Sequence, residues 1–157
     1  MFRKFLLLFS LAIFVNATEM DINKLIAEAK NQNKFIMFFH HVPGCPYCQA
    51  MLDENFKDEN ILEVMNKNFI YVDIYTANKG TIVFKDFSGN HKDFSKYIGA
   101  FAYPATVFMN NEGKVVHIAI GYRNIDEHLT DITYVSTKSY ETMNFQAYKE
   151  KRDFEKE

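Results

Sequence analysis

The chain has 157 residues, 48% of them apolar and 16% aromatic, and its formal net charge is −2 at pH 7. That length supports one domain with a sizeable core, and the composition excludes a disordered chain. The near-balanced charge, with no basic stripe, excludes the electrostatic footprint of a nucleic-acid binder.

The first stretch, MFRKFLLLFSLAIFVNATE, carries the cations Arg3 and Lys4 and then an apolar run from Phe5 to Val15. Val15-Asn16-Ala17 follows, with small or apolar residues at the two positions a signal peptidase reads. Residues 1–17 are therefore predicted to be a secretory signal peptide cleaved after Ala17, and residues 18–157 the mature domain. The apolar run is shorter than the roughly 20 residues of a membrane-spanning helix. The alternative is an uncleaved N-terminal anchor. No cysteine follows the run, which argues against a lipoprotein. Without Arg3 and Lys4, 16 basic residues face 20 acidic ones.

Asp21 to Lys34 places Ile22, Leu25, Ile26 and Ala29 on one helical face. Phe35 to His41 is a continuous apolar run, as expected of a strand buried on both faces. CQAMLDENFKDENILEVMNKN then reads as helix, kinked near Lys57, with Asp58 able to cap a second segment. Its DENFKDEN portion lacks the spacing and glycine of a calcium loop and reads as a solvated face. Phe69 to Tyr75 is a second short strand, so strand, helix and strand form a parallel βαβ unit.

Thr76 to Lys92 is less regular, with room for one small strand and a Ser-Gly-Asn turn. His91 to Phe101 reads as a helix ending near Gly99. Ala105 to Gly121 is a hairpin around Asn110-Asn111-Glu112-Gly113. A helix follows, with Asn124 or Asp126 near its cap. The charged tail from Met143 is helical, with Phe145 and Tyr148 as docking residues. The pattern predicts an α/β fold: a central mixed sheet flanked by helices, built from a βαβ half and a ββα half. Phe35, Phe38, Phe69, Tyr71 and Phe108 read as core, and His91, His117 and His128 as structural or exposed.

Cys45 and Cys48 are the only cysteines, held in VPGCPYCQAM. Three readings compete. As a staple, a Cys-x-x-Cys bridge closes too small a loop to stabilise much. As a metal site, the pair lacks the second cysteine pair of a structural zinc centre, although His40 and His41 lie nearby and thiolates suit Cu(I). As a working dithiol, every local feature is used. The pair follows a strand and opens a helix, whose positive end stabilises a Cys45 thiolate. Pro46 suits the first turn, where its missing N–H has no partner anyway. Cys48 lies one turn on, placed to resolve a mixed disulfide on Cys45. Cys45 is thus the candidate nucleophile and Cys48 the resolving thiol, with Pro46 and Tyr47 between them.

GCPYC after a buried strand, YVDIY as the next strand, AYPATVFMNNEGKVV as a proline-led hairpin, Gly121-Tyr122 and the terminal MNFQAYKEKR carry a resemblance. The mature chain resembles exported thioredoxin-like disulfide reductases of the type found with bacterial sulfur-oxidation systems. CPYC is also common in glutaredoxins, so the motif alone does not choose the subfamily. The resemblance implies the thioredoxin fold and a cis peptide bond before Pro104, facing the cysteines. It implies that Tyr103 and Gly44 present backbone to an extended substrate. It implies a periplasmic, monomeric protein-disulfide reductase with no diffusible cofactor and no metal, fed by a membrane thiol-electron conductor. Its substrates would be disulfides of other envelope proteins, among them sulfur-oxidation carriers and cytochrome c assembly thiols.

Three departures stand out. Phe39 occupies the place where many thioredoxins carry a buried Asp for proton transfer. Tyr103 stands where Ile or Thr usually precedes the proline. The Trp that precedes the motif is replaced by His41-Val42-Pro43-Gly44. His40 or His41, if protonated, would favour the Cys45 thiolate. Three rival functions fit the same chain: a disulfide-forming oxidant of the same fold, a copper-delivery protein using the cysteine pair and a nearby histidine, and a non-catalytic interaction domain on a thioredoxin fold, against which the intact cysteine pair argues.

Overall fold

The computed structural model of the chain describes residues 19–155; the signal peptide expected at 1–17 lies outside them. The chain opens with a short strand, β1 (Glu19–Asp21), and α1 (Ile22–Gln32). Asp21 caps α1 by accepting the N–H groups of Asn23 and Lys24 at 2.9 and 3.3 Å. Asn33 ends it in the left-handed region. β2 (Phe35–His41) follows and is buried from Phe35 to His40.

The next helical stretch divides where the sequence indicates. α2 (Pro46–Asp53) gives way to a single 3-10 turn at Asn55–Lys57, and α3 (Glu59–Asn68) restarts from Asp58. The Asp58 carboxylate accepts the N–H groups of Asn60 and Ile61, which would otherwise be orphaned. β3 (Phe69–Tyr75) runs parallel to β2 in full register, from Phe35 opposite Phe69 to His41 opposite Tyr75. β6 (Ala105–Met109) lies antiparallel to the other edge of β2, and β7 (Val115–Ile120) antiparallel to β6. The main sheet therefore has the order β3-β2-β6-β7.

Between β3 and β6 the chain forms β4 (Thr81–Phe84), β5 (Phe87–Asn90) and α4 (His91–Tyr97). β4 pairs with β5 and, in parallel, with β1, so a second, three-stranded sheet exists that the sequence pattern does not announce. Ser88-Gly89-Asn90 is strand, not turn. The turn is Lys85-Asp86, with Lys85 at φ +52°. Gly89 leaves room for a neighbouring ring: a Cβ there would meet the tip of the Phe87 side chain at 2.8 Å, and that ring would have to move. Two further helices complete the described chain, α5 (Ile125–Ser136), with an Asn124–Glu127 capping box, and α6 (Phe145–Glu155).

Helices cover both faces of the main sheet. On one, Ile36, Phe38 and Val107 meet Ile22 and Ala29 of α1 and Phe94 of α4. Phe94 is the hub, in ring contact with Phe38, Phe84 and Phe87. On the other, Met37 and Phe108 meet α3 and α5, and Phe145 and Tyr148 of α6 pack on Tyr134. Tyr71 is not core: it is 39% exposed, because β3 is an edge strand whose outer positions meet solvent. Nor is DENFKDEN wholly solvated. Asn55 is fully buried, donating to the Arg123 carbonyl and bonded to His128 Nδ1.

Three of the histidines, His40, His117 and His128, are structural. His40 Nδ1 lies 2.8 Å from Ser95 Oγ, whose own O–H donates to the His91 carbonyl, so His40 carries its proton on Nδ1. His117 and Arg123 both bind the buried Asp131. Burial pushes the pKa of His40 down to about 3 and that of His128 to about 4. Each stays neutral in the fold, while the unfolded chain takes up a proton near pH 6.5. Their stabilising contribution is therefore complete above about pH 6.5 and is lost as the pH falls toward the folded values. Urea unfolding from pH 7 to 4.5 should show stability dropping, with each histidine contributing about 1.4 kcal/mol per pH unit once its unfolded form is protonated. His40→Phe should remove close to one proton from that slope; an unchanged slope would contradict the burial argument.

Candidate active site

β2 delivers the chain to the site. After His41 the backbone turns through Val42-Pro43-Gly44, with Gly44 at φ +68°. Nothing lies within 4 Å of a Cβ placed there, so the glycine serves backbone conformation alone, a matter of about 1–2 kcal/mol for any other residue. Cys45 then takes the N-cap position of α2, and Pro46 the first turn. The Cys45 sulfur accepts the backbone N–H of Cys48 at 3.1 Å, the bond an Asp or Ser cap would make. Cys45 and Cys48 form a disulfide, with their Cα atoms 5.3 Å apart. Cys45 is partly exposed, whereas Cys48 is 2% exposed. One sulfur can be approached from outside and the other only from within.

A groove of about 450 Å³ opens beside the pair, lined by His41, Val42, Pro43, Gly44, both cysteines, Leu52 and Tyr75 among others. Tyr47 stands outward, 67% exposed, with its ring 6.1 Å from that of Tyr122. Tyr122 is anchored by donating to Glu54 at 2.7 Å. The Tyr103–Pro104 peptide bond is cis. Ala105 pairs with His40, so Pro104 falls opposite His41, at the strand end that leads to Cys45. The Pro104 carbonyl accepts the Gly121 N–H at 2.8 Å. Among the described residues, no turn or loop hydrogen bond engages the Tyr103 backbone. Phe101, two residues earlier, is 80% exposed.

The structure thus gathers Gly44, Cys45, Pro46, Cys48 and His41 around one groove, with Pro104 adjacent by register. His40 is separated from them. Strand alternation turns it to the opposite face, against Ser95 and Phe94 of α4, and burial keeps it neutral. The expectation that a protonated His40 tunes Cys45 is therefore corrected. His41 stays in the groove, its Nε2 2.8 Å from Asp73 Oδ1. Asp73 was missed by sequence reasoning. A lone acid inside the apolar YVDIY was the available signal, and only the folded structure brings it to His41: the register sets Asp73 opposite Phe39, the residue next to His41 on the same face of β2. Among the described residues no group of three or more His, Cys, Asp or Glu side chains is placed to hold a metal ion.

The description "thioredoxin-like domain" matches residues 22–136. Mouse anterior gradient protein 3 is 39% identical over 46 residues, covering 29% of this chain and 28% of that protein, so the match spans under a third of that relative. Among solved structures, a thioredoxin-fold protein from Helicobacter pylori aligns with a TM-score of 0.66 at 13% identity, covering 90% of this chain and 93% of that one. A thioredoxin from Thermus thermophilus aligns at 0.57 with 17% identity, covering 77% and 88%. The reduced C-terminal domain of Neisseria meningitidis DsbD aligns at 0.54 with 16% identity, covering 74% and 97%. At these identities the likeness is one of fold.

The cap geometry has a direct consequence for reactivity. In the reduced protein, an alkylating reagent should modify Cys45 first, with a half-point below the roughly pH 8.5 of an ordinary thiol. Cys48 should be protected. Mass mapping of the labelled cysteine across pH checks both statements, and equal labelling of the two thiols would contradict the assignment.

Proposed function

The chain belongs to the thioredoxin-like domain family, and from that premise we propose that it is an exported thiol–disulfide oxidoreductase that reduces disulfides in envelope proteins. One observation carries the reading: a partly exposed sulfur at a helix start, accepting a backbone N–H and bonded to a buried partner one turn away. In the working direction the Cys45 thiolate attacks a substrate disulfide and expels one substrate thiolate. Cys48 then attacks Cys45, expels the second, and leaves the Cys45–Cys48 disulfide. Two electrons pass to the substrate, and no diffusible cofactor is required. The reduced state is restored by a membrane thiol conductor. The free Tyr103 backbone beside Pro104 offers an edge for an extended substrate segment, and exposed Tyr47 and Phe101 offer apolar contact.

Export rests on the charged, apolar and small-residue succession of residues 1–17. Among the described residues no helix is long and apolar enough to cross a membrane. We place the protein in the periplasm, acting as a monomer.

A second reading is favoured by the same hydrogen bond. A donor aimed at Cys45 stabilises its thiolate, hence the reduced form, and enough stabilisation makes a disulfide-forming oxidant. The reduction potential separates the two. Equilibration with defined thiol buffers should give a value near about −270 mV, as for a thioredoxin-like donor. A value near about −120 mV would replace the reductase reading with the oxidant one. Catalysed reduction of insulin by dithiothreitol should be lost in Cys45→Ser.

A further inference from the structure

Resolution of the mixed disulfide poses a chemical problem at Cys48. A thiol 2% exposed must lose its proton before it can attack, and burial in apolar surroundings disfavours the thiolate. The helix end serves Cys45, not Cys48. No acidic residue stands in the first turn of α2, and Phe39, on the same face of β2 as His41, is apolar and fully buried. Of the side chains that line the groove with both cysteines, only His41 and Tyr75 are otherwise titratable, and a phenol is no base at neutral pH.

His41 is built for the task. Asp73 Oδ1 lies 2.8 Å from Nε2. A carboxylate accepts, so Nε2 carries the proton and the lone pair is left on Nδ1. The Asp73 oxygen is further held by the Tyr71 O–H at 3.4 Å. The imidazole lies between two rings, stacked on Phe39 at 5.5 Å and tilted against Tyr75 at 4.9 Å. The carboxylate, itself about half exposed, selects the Nε2–H tautomer, and the two rings bracket the imidazole. The titratable groups against it are Asp73 and Tyr75 from β3, with Tyr71 bonded to the same carboxylate, and the two cysteines line the groove that it lines; His40, its neighbour on β2, points the other way and is neutral.

Resting on the oxidoreductase reading, we infer that His41, oriented by Asp73, is the base that takes the proton of Cys48 during resolution. The Cys48 S–H proton passes to His41 Nδ1. The Cys48 sulfur forms a bond to Cys45 Sγ as the bond from Cys45 to the substrate sulfur breaks. The departing substrate thiolate takes the proton back from the imidazolium. Both enzyme sulfurs end oxidised and both substrate sulfurs reduced. Asp73 is a positioning residue.

The test is stopped-flow reaction of the reduced full protein with a chromogenic aryl disulfide. It releases one thiolate on Cys45 attack and a second on resolution. His41→Phe keeps the ring contacts and removes the base. At pH 6.5 it should slow the second release about 100-fold, within the usual range for general-base catalysis. The deficit should shrink as the pH approaches the thiol's own value, while the first release stays within about twofold of the parent. Asp73→Asn, which keeps a side-chain partner for the ring, should reproduce the pH-dependent loss more weakly. A second release in His41→Phe with the parent's rate and pH profile overturns the inference alone. So does a loss that is equal at every pH, which is the mark of a structural defect. No second release from the parent itself overturns the inference and the oxidoreductase reading together.

Discussion

Everything in this molecule hangs on β2. It is paired along both edges, parallel to β3 and antiparallel to β6, so its backbone polar groups are consumed by the sheet. It is also covered on both faces, so from Phe35 to His40 every side chain leaves water. A strand so held cannot slip by one residue without exchanging the two faces of the core. Whatever follows it is placed with the same precision. Cys45 follows four residues after its end, across a loop whose glycine supplies the one left-handed step.

The same alternation separates the fates of two adjacent histidines. His40 turns toward α4, donates to Ser95 and is held neutral by burial, a polar group absorbed into a core. His41 turns toward the cysteines and meets a carboxylate. One imidazole bonds a hydroxyl through Nδ1 and is kept uncharged; the next bonds a carboxylate at the edge of the groove. His128 repeats the first pattern on the other layer, where Asn55 takes the place of Ser95. The interior thus tolerates these two imidazoles as neutral donors, each giving one hydrogen bond without adding a buried charge at neutral pH.

Much of this was legible in the sequence, because the signals were local. The run from Phe35 to His41, the Asp58 cap, the hairpin around Asn110 to Gly113 and the Cys-x-x-Cys pair each declare themselves within a few residues. The small sheet did not. β1 is three residues, two of them acidic, and becomes a strand only through pairing with β4. The β4–β5 turn places a lysine at positive φ in place of the usual Asn-Gly, and the glycine that mimics a turn signal instead makes room for a ring. Tyr71 and Asn55 were misjudged for a shared reason. Burial at an edge strand or a helix break is decided by which element lies above it, and that is not written in local periodicity. Asp73 belongs to the same class: its meaning comes from His41 on the neighbouring strand, two residues beyond its register partner Phe39.

The electrostatics around Cys45 bear on the direction of electron flow. A potential is raised by whatever favours the thiolate over the disulfide. Here those influences are the Cys48 N–H and the helix end, and the latter falls off within the first turn. No Lys or Arg lines the groove, and His41, the imidazole that does, is bonded to Asp73. The Cys48 N–H is already bonded to the Cys45 sulfur in the oxidised state, so reduction strengthens an existing contact rather than adding a new donor. A thiolate stabilised this sparingly stays a good nucleophile, since nucleophilicity falls as the thiol pKa falls. Such sparing stabilisation is what the proposed reductase direction calls for, and a base beside Cys48 would serve that direction by hastening the step that completes each donation.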